Sequence, residues 1–124
     1  MHSIARGSCL ALVLGALLSQ AVWAHHGWAW ATDDEFELSG VIIDVRLGNP
    51  HGELTLEVGA EHWIVEVGQP WRNTRAGLTE ELLRPGQAIT AHGHRSAREG
   101  EKRMKAERLV IDGNNHVLYP DRES

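Results

Sequence analysis

The stretch ELTLEVGAEHWIVEV, residues 53–67, decides the fold. Leu54, Leu56 and Val58 alternate with Glu53, Thr55 and Glu57, the period of a strand with one apolar face. Gly59-Ala60 then fits a two-residue hairpin loop with glycine first. Beyond it Trp63, Val65 and Val67 take the inward positions, and His62 and Glu66 the outward ones.

Working outward, residues 36–47 are β-branched and apolar and read as a long first strand. Phe36 and Leu38 share one parity, whereas Val41, Ile43, Val45 and Leu47 share the other. The change at Ser39-Gly40 predicts a β-bulge or sharp bend there. Gly48-Asn49-Pro50-His51-Gly52 is a turn by composition. Downstream, residues 68–78 (GQPWRNTRAGL) read as a longer loop. Thr79 then caps a predicted short helix over Glu80-Glu81-Leu82-Leu83, where the acids suit the positive helix start, and Pro85-Gly86 ends it. A fourth strand is expected over residues 87–94, a charged hairpin loop over 95–103 and a fifth strand over 104–111. Gly113-Asn114-Asn115 turns into a short sixth strand at 116–119. This succession predicts a mainly β protein, a small OB-like barrel of five to six strands with one short helix between strands 3 and 4. Closure would hide the edges of so small a sheet. A meander or open β-roll is the alternative.

The chain has 124 residues, enough for one domain. Its first 24 read as a secretory signal peptide. Arg6 precedes the apolar run Leu10-Ala11-Leu12-Val13-Leu14-Gly15-Ala16-Leu17-Leu18, and Val22-Trp23-Ala24 places small residues for cleavage. The run is shorter than the roughly 20 residues of a transmembrane helix. Cleavage after Ala21 also fits, and only cleavage after Ala24 makes His25 the first residue. The expected organisation is a signal peptide (1–24), an N-terminal arm (25–35), an OB-like domain (36–119) and a C-terminal tail (120–124). A periplasmic or secreted location follows, with no stable membrane anchor after cleavage. The lone cysteine, Cys9, lies in the signal segment, so the mature chain would hold no disulfide and no thiolate ligand. Cleavage also removes Arg6 from the 12 basic residues and none of the 17 acids. That acidic excess argues against a nucleic-acid partner, which needs a basic surface.

Several of these features occur together: the start His25-His26, the strand at Gly40-Val41, the turn Asn49-Pro50-His51, the strand from Trp63 to Val67, and Leu83-x-Pro85-Gly86-Gln87. In this combination, over about residues 24–119, the chain resembles an uncharacterised family of small exported proteobacterial proteins. The resemblance implies a soluble exported β domain and carries over no activity. The chain departs from that pattern at Gly27-Trp28-Ala29-Trp30, where a small polar residue and a Phe are usual, and at Leu78, where a Trp is common.

All but His2 of the 8 histidines lie beyond residue 24. Imidazole suits copper, zinc and nickel. If His25 begins the mature chain, its free amine and ring nitrogen can chelate one metal. A further imidazole completes a T-shaped nitrogen set that favours Cu(II). His51, which follows a proline in a tight turn, is the candidate; His26 could instead bind with the amine and its own deprotonated amide nitrogen. Alternatively His25 and His26 are only a solvated chain end. His92 and His94, two apart on a strand, share a face with Cα atoms roughly 7 Å apart and form a weaker pair. They are equally two polar residues on an outer sheet face. His62 and His116 show no partner. Trp28 and Trp30 share a face if extended and pack the arm, shield a metal or meet a partner. With Trp71, Arg72 and Arg75 they are the candidate surface for the rival reading, a non-catalytic binding module for an envelope ligand or periplasmic protein. An enzyme is the third reading. No nucleophile elbow and no phosphate loop support it.

Overall fold

The computed structural model describes residues 27–122. The expected signal peptide, Cys9, His25 and His26 lie outside the described residues. The elements are β1 (Phe36–Arg46), β2 (Glu53–Val58), β3 (Glu61–Glu66), the helix α1 (Pro70–Arg75), β4 (Ala88–Arg95), β5 (Arg103–Ile111) and β6 (Asn114–Val117). The strands run β3-β2-β1-β4-β5-β6, and β3 also pairs with β5. That second pairing is parallel, whereas all the others are antiparallel. It closes five strands into an OB-like barrel and leaves β6 as an added strand on β5. The long β1 makes this possible by pairing with β4 through its first half and β2 through its second.

The hairpin that decides the fold packs as its alternation requires. Leu54, Leu56, Trp63, Val65 and Val67 are all buried. They join Leu38, Ile42, Ile89, Ala91, Met104, Ala106, Leu109 and Ile111 in one core. Each fully buried aliphatic side chain here contributes about 1.5–3 kcal/mol. Gly59 has φ 60°, the left-handed conformation that a tight hairpin asks of its first loop residue.

Three local expectations are corrected. First, the β1 bulge lies at Ile43, where Ile42 and Asp44 face the consecutive residues Leu56 and Thr55, and not at Ser39-Gly40. Gly40 is glycine for another reason: a Cβ there would lie 2.6 Å from the Glu57 carbonyl oxygen of β2. Ile42 is therefore in the core, and Val41, Ile43 and Leu47 are exposed. Second, the helix occupies Pro70–Arg75, inside the expected loop. Pro70 suits a first helical turn. Asn73 braces the approach, since its side-chain amide donates to Gly68 O and its Oδ1 accepts from Gly68 N, both at 2.9 Å. At Thr79 a single turn forms, with Leu83 N donating to Thr79 O, and Pro85-Gly86 stops it from growing. Third, β6 starts at Asn114, earlier than expected. Asp112 (φ 52°) and Gly113 (φ 78°) both adopt left-handed backbone, so they and not Gly113-Asn114-Asn115 make the turn.

The arm lies against the barrel. Ala31 bridges to Ser96 just past β4, Thr32 N donates to Arg95 O, and Ala97 N donates to Trp30 O. Trp28 and Trp30 thereby cover the outer face where β3, β5 and β4 adjoin. Among the described residues no helix is long and apolar enough to cross a membrane.

Candidate functional site

Register builds a charged row under the arm. Glu66 of β3 is level with Lys105 of β5, and Lys105 is level with His94 of β4. Alternation puts this row on the outside of the barrel, as read for Glu66 and His94. Yet Glu66, Lys105 and His94 are only 2%, 5% and 4% exposed. They lie on the outer face without reaching solvent, because the arm covers them. The Lys105 ammonium donates to Gly27 O at 2.7 Å and lies 4.7 Å from the Trp28 ring centre. Arg103 lies 5.5 Å from the Trp30 ring centre.

Glu66 is the hub of the row. Its carboxylate holds Lys105 Nζ at 3.2 Å, Arg103 at 3.4 Å and His51 Nε2 at 3.3 Å. Burial pushes the Lys105 ammonium below its ordinary lysine range, outweighing the attraction of Glu66. A cavity of about 210 Å³ opens beside the hub, walled by Gly27, Trp30, Pro50, His51, Gln69 and Tyr119. His51 reaches it from a turn held by the cis Asn49-Pro50 bond and by Gly52 N donating to Gly68 O. Its ring remains about one-third exposed and is the group in the wall best suited to hold a metal.

At the other end of the row His94 Nε2 lies 2.5 Å from Glu107 Oε1 and 3.4 Å from Glu35 Oε1. Trp28 meets the imidazole edge-on at 5.6 Å. Glu107 also receives Arg122 Nε at 3.2 Å. His92 is not brought to this cluster and lies 4.0 Å from Glu37. The expected His92–His94 pair is thus split between different carboxylates. His62 is exposed, as expected. His116, expected to lack a partner, donates from Nδ1 to Ala76 O at 2.7 Å. In the candidate partner surface Arg72 is committed elsewhere. It donates to Leu118 O at 2.9 Å and is sandwiched between the Tyr119 and Trp71 rings. Trp71 and Arg75 remain exposed.

A family model described as a family of unknown function, DUF6152, matches residues 13–105. The chain belongs to that family. Among curated proteins nothing matches this DUF6152 chain. Among solved structures it is similar to a chain of the S. pombe Stn1-ten1 complex, with TM-score 0.52 and 12% identity over 64% of this chain and 59% of that one. It is also similar to the ZRD-deleted mutant of TiaS in complex with agmatine, with TM-score 0.52 and 14% identity over 72% of this chain. The chain spans 27% of that second structure. At such identities the likeness concerns the OB-like barrel alone.

Proposed function

We propose that this protein is exported, loses residues 1–24, and binds Cu(II) through His25, His26 and His51. One observation carries the reading: Gly27 and His51 wall the same cavity. Residue 26 is bonded to Gly27, so its Cα lies about 3.8 Å away, and that of residue 25 at most about 7.6 Å away. In the sequence His25 and His26 are thus within two residues of a cavity wall that also contains His51. Tethering replaces three independent encounters by one, which favours chelation.

The roles follow from the donors. The amine and ring nitrogen of His25 would form the chelate, and His51 would add an imidazole across the ion. Glu66, 3.3 Å from His51 Nε2, orients that ring and leaves its Nδ1 edge for a metal. Trp30 and Tyr119 narrow the cavity and limit water at the ion.

The test begins with mass spectrometry of the N-terminus of the purified mature protein, followed by Cu(II) titration at neutral pH. A chain starting at His25 should take one equivalent, with a nitrogen-rich EPR signal. His51→Ala should weaken binding by at least about tenfold, and one residue added before His25 should remove the terminal chelate. An unchanged visible and EPR spectrum at one equivalent rejects the proposal.

A further inference from the structure

We infer that Glu35, His94 and Glu107 form a second metal site, selective for a zinc-like divalent ion and independent of the N-terminal histidines. The three side chains come from the residue just before β1, from β4 and from β5, and their ligand atoms all lie within 4.8 Å of one another. One imidazole nitrogen and two carboxylate oxygens are a donor set for Zn(II) or Co(II), with water as the fourth ligand.

Two observations point to an ion beyond the clustering itself. His94 and Glu107 are almost wholly buried, and among the described residues Glu107 Oε2 has no hydrogen-bond partner. A buried carboxylate oxygen without a donor is costly, and a cation relieves the cost. The distances are also close to those of a bound ion. Ligands at about 2.0–2.1 Å around a tetrahedral ion stand about 3.3 Å apart. Glu35 and His94 are already 3.4 Å apart. His94 and Glu107, at 2.5 Å, need to separate by under about 1 Å. Glu107 Oε1 is shared by His94 Nε2 and Arg122 Nε, whereas Oε2 has no partner among the described residues, so the carboxylate has a spare oxygen. One oxygen can then serve the ion while the other keeps Arg122. The Glu35 side chain is half exposed and gives the ion a way in from solvent.

The position suggests what the ion does. Glu35 ends the arm, just before β1, and Trp28 of the arm packs on the His94 ring. A metal here would fasten the arm to β4 and β5, and so hold Gly27 in the wall of the cavity described above.

The experiment uses the mature chain carrying H25A, H26A and H51A, which removes every imidazole of the proposed copper site. Zn(II) titration calorimetry and Co(II) absorption should each report one equivalent. Glu35→Gln should weaken Zn(II) binding by at least about tenfold, and His94→Gln should abolish it. The half-exposed Glu35 can be changed without disturbing the core, so its result stands even if the His94 variant fails to fold. No binding by the triple variant, or binding unchanged by Glu35→Gln, overturns the inference. Neither result touches the copper proposal, because that variant lacks its three imidazoles.

Discussion

Replacing Glu66 by glutamine should cost more than any exposed carboxylate in the chain, and the loss should be recoverable at Lys105. The two charges sit 3.2 Å apart, with side chains 3% and 7% exposed. At an effective dielectric of about 20 their attraction is roughly 5 kcal/mol, set against several kcal/mol to desolvate each ion. Glu66→Gln leaves the ammonium buried beside an amide, still donating to Gly27 O. Breaking a buried pair from one side costs about 3–5 kcal/mol, a large part of the 5–15 kcal/mol that holds such a domain together. Lys105→Met should cost less, since Arg103 and His51 still face Glu66. In the double variant E66Q/K105M no uncompensated charge remains at this pair. It should therefore be more stable than E66Q alone, with a coupling of about 2 kcal/mol. Urea unfolding of the four proteins, followed by tryptophan fluorescence, measures the cycle. Single costs that simply add, to within about 0.5 kcal/mol, would refute the claim that the arm makes this an interior pair.

Two further outcomes follow from the same packing. Gly93→Ala should destabilise the fold by about 3 kcal/mol or more, because the new Cβ would overlap the Lys105 carbonyl oxygen and press on Ala106 Cα, both of them backbone atoms; an unfolding midpoint equal to wild type would contradict this. Tyr119 is the single tyrosine, and burial raises its phenol above the usual range near 10. Between that value and the higher folded one the folded state keeps the proton that the unfolded chain loses, so stability falls as pH rises through this window. Absorbance at 295 nm should show the phenol titrating later in the folded protein than in urea, and Tyr119→Phe should flatten the alkaline loss.

The sequence by itself determined the strands and their order, and the parallel β3–β5 pairing of the tertiary structure closed them into a barrel. Alternation over residues 53–67, the glycine turn between the two strands, and the run at 36–47 fix strands whose apolar faces must meet. The order of elements that follows is that of an OB-like barrel with its one helix, with an open β-roll as the alternative. Local signals were weaker where two readings compete over a few residues. Pro70 and Asn73 start a helix where Thr79 and the acids after it also invite one, and the invitation at Thr79 is cut short by Pro85-Gly86. The β1 bulge moved to Ile43 because backbone approach at Gly40, a tertiary matter, explains that glycine.

Tertiary structure alone decided the sites. Alternation correctly puts Glu66 and His94 on the outward side of their strands, but it cannot say what covers that side. The cover is the arm, and Lys105 meets Gly27 from 78 residues away. Likewise Glu35, His94 and Glu107 meet only because β1, β4 and β5 are neighbours in the sheet. Outward-facing charges become buried charges when a remote segment excludes water from them. That exclusion is a property of the assembled fold, which no residue pattern within a single strand encodes.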